Sequence, residues 1–337
     1  MKIAIIGAGA IGSVTGALLS DKGHDVVLIG RDDQVSAINK GGLLVQGAVG
    51  SKRYNLPAKV SLDFAPDMAI LAVKTQDVES TCLAMRPHVK DALIVTMQNG
   101  VKADEIAVGV LGRDNMVSAV VMYGATYLEP GNISYNFPGG LVIGLAFPGA
   151  KGEGDALLEK AHDVLSGAFD LHVSKDIHGT HWTKLILNLN NALSGVLGIP
   201  LQEVFDDPRL CTLGVALMRE AHEVMESAGI SLMPLPDLPV ERLKELLGAP
   251  PEVSAGIYGN IMRGLSKDPL PGSVLQSIQR GKPSEVDYLN GEIAVLGMLH
   301  RNPTPLNYKI TKMVKEVEKH GRFVNKEELL EAFKGDM

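Results

Sequence analysis

The chain has 337 residues, 45% of them hydrophobic and 21% charged, with a formal net charge of −7. That length suits two hydrophobic cores better than one, and the composition is that of a globular protein, not a disordered one. A negative balance with no basic run argues against a nucleic-acid partner, because phosphates call for a basic face. The two cysteines, Cys82 and Cys211, lie far apart with no CxxC pair. Neither a disulfide framework nor a zinc site is therefore indicated, and no His/Asp/Glu cluster has metal-ligand spacing. No stretch is apolar for long enough to span a bilayer, and nothing resembling a leader precedes the first apolar run, so a cytoplasmic location without membrane partners is expected.

To about residue 120, short apolar runs alternate with helix-period stretches, the pattern of βαβ units and a parallel sheet. Residues 3–6 predict the first strand, 11–20 a helix closed by Gly23, and 26–29 the second strand. Residues 41–49, with the segment through Leu56, predict an inserted hairpin with glycine-rich turns. The third and fourth strands fall at 68–73 and 93–97. Residues 117–123 and 141–145 flank Glu129-Pro130-Gly131-Asn132, a turn signal expected to close an antiparallel hairpin at the sheet edge. Beyond Lys151 long helix-period stretches take over, at 182–196, 212–228, 285–299 and 305–319, with loops at 233–239 and 267–272. The expected architecture is an α/β domain with a mostly parallel sheet over residues 1–175, followed by an all-α domain over 176–337.

Gly7-Ala8-Gly9-Ala10-Ile11-Gly12 is a GxGxxG run directly after a strand and at the start of a helix. Gly7 permits the tight turn, Gly9 lets a pyrophosphate approach the backbone, and Gly12 lets the helix pack close to the sheet. The helix start supplies N–H donors and a positive dipole end to the phosphates. In that context the run marks a dinucleotide site, so the first domain is read as Rossmann-type. A reader of the ribose 2′-hydroxyl would be an acid at the tip of the second strand, where this chain has Leu28-Ile29-Gly30-Arg31. Arg31 suits a 2′-phosphate, which favours NADPH/NADP+ over the unphosphorylated cofactor. Lys74 and Asn99 end the third and fourth strands, where a nicotinamide is expected to reach.

Residues 181–193 are apolar enough for a buried helix, yet carry Lys184, Asn188 and Asn191 at spacings of four and three. On one continuous helix all three share a face, and burying them without partners is costly, so the stripe is expected to line a cleft. A lysine partly stripped of water has a lowered pKa and still serves as a general acid. Glu285 follows Pro283-Ser284 and reads either as a functional carboxylate or as a helix-start acid favoured by the dipole. His178 and His181 precede the lysine, and His181 reads either as a solvated or packed residue of the hinge or as an alternative acid.

GxGxxG at the start, Arg31, Lys74, Gln98-Asn99-Gly100, the run from Trp182 through Lys184 to Asn188, and Glu285-Val286-Asp287-Tyr288-Leu289-Asn290-Gly291 resemble, in this order, the ketopantoate reductase family. The resemblance implies a Rossmann domain followed by a helical domain, and NADPH-dependent reduction of 2-dehydropantoate to pantoate. It implies Lys184 as the catalytic acid, with Asn99, Asn188, Ser273 and Glu285 at the substrate. Ala10 and Ile11 join Gly7, Gly9, Gly12, Arg31, Lys74, Asn99 and Glu285 on the cofactor side. Two positions depart from the family pattern. Ala192 stands where a second pocket asparagine is usual, so Asn191 is expected to serve instead, and Ser277 stands where aspartate is usual. The stretch 233–268 is also longer than a compact member needs. These departures bear on which small 2-oxo acid is the substrate more than on the reaction type. A related dehydrogenase of another small 2-oxo or 3-hydroxy acid, or a non-catalytic NADPH sensor, are the alternatives. No symmetry in the sequence decides between a monomer and a homodimer formed through the helical half.

Overall fold

The computed structural model describes residues 1–48, 50–112, 115–147, 153–264, 266 and 268–336. Val49, which ends the stretch 41–49 of the expected hairpin, and Lys151 and Lys267, at the expected change of character and loop, lie outside the described residues. The chain divides into two compact units, Met1–His181 and Trp182–Met337.

The first unit opens β1 (Lys2–Ile6), α1 (Ala10–Ser20), β2 (Asp25–Ile29) and α2 (Asp32–Gly41). Three short strands follow, β3 (Leu43–Gly47), β4 (Gly50–Tyr54) and β5 (Ala58–Lys59). Next come β6 (Met68–Leu71), α3 (Val78–Met85), β7 (Leu93–Thr96) and α4 (Ala103–Leu111). The unit continues with β8 (Met116–Val121), β9 (Gly124–Glu129), β10 (Asn132–Phe137), β11 (Leu141–Leu145), α5 (Glu153–Leu165) and β12 (Leu171–Val173). Eight strands, among the described residues, form a sheet in the order β12-β11-β8-β7-β6-β1-β2-β5. All neighbours are parallel except β8 and β11.

The strands β1, β6 and β7 are apolar almost throughout because both faces of the sheet are covered. Alternate residues divide between two cores. Ile3, Ile5, Leu28, Ile70 and Val95 pack with Val14, Ala17 and Leu19 of α1, while Ala4, Ile6, Val27, Leu71 and Ile94 pack with Val78, Cys82 and Met85 of α3.

The turn at Pro130-Gly131 does not join β8 to β11. These two do pair antiparallel, as 117–123 and 141–145 suggested, but the turn closes the β9–β10 hairpin of a second sheet, ordered β4-β3-β10-β9. The inserted hairpin β3–β4 joins that sheet through parallel pairing of β3 with β10. Gln34 of α2, buried, fastens the arrangement. Its Oε1 accepts from Tyr127 Oη at 2.9 Å and from the Gly131 N–H at 2.7 Å. Nor is β11 the edge, since β12 pairs beside it.

The boundary between the units falls inside α6 (Ile177–Asn188). The second unit, among its described residues, is helical: α7 (Asn191–Leu197), α8 (Leu201–Val204), α9 (Pro208–Ser227), α10 (Val240–Gly248), α11 (Pro251–Arg263), α12 (Ser273–Gln279), α13 (Asn290–His300), α14 (Pro305–His320) and α15 (Lys326–Phe333). Helix α9, with Pro208 at its first position and Asp207 capping it, has Leu210, Leu213, Leu217, Met218 and Val224 buried. Helices α10 and α11 occupy most of the stretch that looked long in the sequence.

Two expected helices are interrupted. The run 182–196 breaks at Leu189-Asn190, between α6 and α7. The Asn191 side chain donates Nδ2–H to the Asn188 carbonyl at 2.9 Å, and the Ala192 N–H turns instead to Leu189 O at 3.2 Å. A side-chain amide competing for a backbone carbonyl is what periodicity cannot register. The run 285–299 begins with a separate 3-10 turn, Val286–Tyr288, and α13 starts only at Asn290. Leu289, at φ −113° and ψ −99°, is outside helical geometry.

Candidate active site

In the first unit the glycine-rich turn links β1 to α1. Gly7 has φ +113°, and a Cβ there would lie 2.6 Å from Val73 N. A Cβ on Gly12 would lie 2.1 Å from Gly7 O. Both glycines are thus required by the protein's own packing. Gly9 differs: its φ is −79°, and a Cβ would meet nothing within 4 Å. Gly9, Ala10 and Ile11 are partly exposed, no side chain caps α1, and its first turn holds no acid. The N–H groups of that turn therefore face outward with a positive dipole end, a cradle suited to a phosphate.

At the tip of β2, a Cβ on Gly30 would sit 2.8 Å from Ala8 Cβ, so close packing on the glycine-rich turn excludes a longer residue there. Arg31 is exposed beside it, with no ion pair or side-chain hydrogen bond among the described residues. Asp32 and Asp33 open α2, where carboxylates suit the helix dipole.

The ends of β6 and β7 are stapled together. Gln98 Nε2, buried, donates to Leu71 O at 3.0 Å and Val73 O at 3.1 Å. Thr75 Oγ1 donates to Asn99 O at 3.1 Å. Lys74 and Asn99, both partly buried, are thereby brought to adjacent strand ends, and Gly100 turns the chain at φ +84°. Gln98 stood in the sequence only as a member of the Gln98-Asn99-Gly100 run and Thr75 as an ordinary strand-end polar residue, and the stapling role of each is visible only in the bonds it makes.

His181 is buried and does not stand free as an acid. Its Nε2 lies 2.8 Å from Ser118 Oγ, and the ring also bonds to the Gly100 backbone. Burial holds its pKa below the ordinary 6.5 despite Asp104 nearby.

In the second unit Lys184 is partly buried on α6. Loss of water around Nζ brings its pKa from 10.5 down to about 8. Among the described residues no carboxylate forms an ion pair with it, so nothing pulls the value back up. Asn188 ends α6 and Asn191 starts α7, so the polar stripe is divided between two helices. Asn191 Oδ1 accepts the Ser273 N–H at 3.0 Å, which joins Asn188, Asn191 and Ser273 into one cluster at the start of α12. One N–H and one lone pair of the Asn191 amide remain for a ligand. Ala192 is fully buried, and Ser277 donates Oγ–H to Ser273 O at 3.0 Å, inside α12. Glu285, partly buried, precedes its 3-10 turn and is steadied by α14. Glu318 accepts the Ser284 N–H at 2.7 Å, and Lys315 pairs with Asp287 at 2.5 Å.

Residues 3–146 match the model of ketopantoate reductase PanE/ApbA, and residues 176–318 match that of the ketopantoate reductase PanE/ApbA C terminal. The chain belongs to this family. A 2-dehydropantoate 2-reductase of Pyrococcus horikoshii is 31% identical over 95% of this chain and 99% of its own. The crystal structure of a PanE/ApbA family ketopantoate reductase from Ralstonia eutropha superposes with a TM-score of 0.77 at 28% identity, covering 95% of this chain and 99% of that one. A D-mandelate dehydrogenase in complex with NADH and anilino(oxo)acetate has a TM-score of 0.81 at 23% identity, over 95% of this chain and 99% of that one, a likeness of fold. The family's architecture, a mostly parallel α/β unit followed by a helical one, is the architecture expected from the sequence. Among the described residues no helix is long and apolar enough to cross a membrane, and no group of His, Cys, Asp and Glu side chains is arranged to hold a metal.

Proposed function

We propose that this chain reduces 2-dehydropantoate to pantoate with NADPH in the cytoplasm, residues 1–175 binding the cofactor and 176–337 carrying the substrate and catalytic groups. The observation that carries the reading is Lys184, whose desolvated ammonium has a pKa of about 8 in a chain of this family. Such a group is protonated at neutral pH and acidic enough to release its proton.

The first unit fits a phosphorylated dinucleotide. Gly9 has a freedom its own packing does not need, the start of α1 is uncapped, and Arg31 has no anionic partner among the described residues. Gly7, Gly9, Ala10, Ile11 and Gly12 hold the pyrophosphate. Arg31 takes the 2′-phosphate, which sets the preference for NADPH over NADH. Lys74, Asn99 and Glu285 serve the nicotinamide half. When bound, NADPH supplies the hydride. Lys184 Nζ–H donates a proton to the ketone oxygen, and its charge stabilises the developing alkoxide. Ser273, Asn188 and Asn191 donate to the carboxylate side of a small 2-oxo acid, and Glu285 accepts from its hydroxyl.

The test is NADPH oxidation with 2-dehydropantoate, set beside pyruvate, 2-oxoisovalerate and oxaloacetate. Turnover of 2-dehydropantoate well above the others supports the reading, and faster turnover of another acid transfers the same chemistry to that substrate. NADPH binding with no turnover of any acid replaces the enzyme by a sensor.

A further inference from the structure

Beneath the strand end that carries Asn99, four side chains from four elements form a chain of hydrogen bonds. Asp104 Oδ1 of α4 accepts from Thr96 Oγ1 of β7 at 2.5 Å. Thr96 Oγ1 lies 3.3 Å from Ser118 Oγ of β8, which lies 2.8 Å from His181 Nε2. The ring's other tie is to the Gly100 backbone, an interaction that favours the charged form and so has a ring N–H as donor. Thr96, Ser118 and His181 are buried, and a small cavity lined by Thr96, Gln98, Gly100, Val101, Asp104 and His181 lies against the chain. Burying three hydrogen-bonding side chains, two on strands of the sheet and one on α6, is costly unless they satisfy one another.

We propose that Asp104, Thr96, Ser118 and His181 form a hydrogen-bond relay that positions the Asn99–Gly100 strand end, with Asp104 as the remote counter-charge of a protonated His181. With a neutral ring, Thr96 O–H points to Asp104 and Ser118 O–H points to Nε2. When His181 takes a proton from solvent, Nε2–H donates to Ser118, whose hydroxyl turns to Thr96, and every donor then runs toward the carboxylate. One hydroxyl rotates, one proton is gained, and no other bond changes. The titratable groups facing the ring are Asp104 of α4, which favours its charge, and His178 of α6, which opposes it. His181 is thus a positioning residue and not the reacting acid. The link to catalysis rests on the cofactor role proposed for Asn99, whereas the relay itself does not.

The experiment is NMR titration of the 15N-histidine-labelled full-length chain saturated with NADPH, with His181 assigned through His181→Gln. Thr96→Val and Asp104→Asn are each expected to lower the His181 pKa by about half a unit or more, and the double variant by no more than either alone. If Asp104→Asn moves the titration and Thr96→Val leaves it in place, the carboxylate acts through space and the relay is overturned, as it is if neither variant moves it. In parallel, His181→Phe is expected to weaken NADPH ~3- to 10-fold, with His181→Gln, which keeps an N–H for Gly100, recovering most of the loss. Equal losses in the two variants contradict the positioning role. Absence of 2-dehydropantoate turnover by the unaltered chain would sink the proposed activity while leaving both readouts intact.

Discussion

Lys184 gives the prediction that the structure constrains most tightly. Its pKa falls from 10.5 to about 8, and burial is the cause. A shift of that size disfavours the ammonium by at most roughly 3 kcal/mol at 1.36 kcal/mol per unit, an upper bound because the residue keeps partial exposure to solvent. The folded-state pKa lies below the unfolded one, so between about pH 8 and pH 10.5 the unfolded chain binds more protons. Stability therefore rises with pH across that window, while below it both states are protonated and the full cost is present. Activity has the opposite slope. The kcat/KM for ketone reduction, which reports the free enzyme, is expected to be level to about pH 7.5 and to fall tenfold per unit above about pH 8. Lys184→Met removes the desolvated charge without leaving a large void. It should lower turnover by ~10²–10⁴-fold and make the protein more resistant to urea by about 1–3 kcal/mol. A reduction limb near pH 10.5, or a Met variant that is both active and no more stable, would refute the assignment of Lys184 as a desolvated general acid.

Gly9→Ala and Gly12→Ala separate a ligand's needs from the fold's. The first should leave thermal unfolding unchanged and weaken NADPH on the order of tenfold, while the second should cost about 1–3 kcal/mol of stability through its clash with Gly7 O. Arg31→Ala should weaken NADPH by about 1.5–3 kcal/mol in titration calorimetry and leave NADH nearly unaffected, and equal losses would remove Arg31 from the 2′-phosphate. Asn191→Leu removes the acceptor of the Ser273 N–H and the donor to Asn188 O. Chemical denaturation should show a loss of about 1–3 kcal/mol, and KM for the acid should rise more than kcat falls.

What the sequence disclosed depended on whether the signal was local. The parallel strands and the glycine-rich turn were legible because consecutive apolar runs and GxGxxG are written in adjacent residues. The second sheet was not, because β3 pairs with β10, some ninety positions later, and the tie from α2 to the β9–β10 hairpin is a single buried side chain, Gln34. The candidate site was legible in its members and not in its geometry. Lys184, Asn188 and Asn191 have helical spacing, but the Asn191 amide breaks the helix that spacing presumes. Thr96 and Ser118 pass in the sequence for ordinary hydroxyls in apolar strands, and only tertiary pairing of β7 with β8 joins them to Asp104 and His181.

The most direct test of the central claim is the initial rate of NADPH oxidation by the purified full-length chain with 2-dehydropantoate, repeated with NADH and with Lys184→Met. The account predicts fast turnover with NADPH, a much weaker rate with NADH, and near-complete loss in the variant. Equal rates in the variant and the unaltered chain, or preference for a different 2-oxo acid, would contradict it.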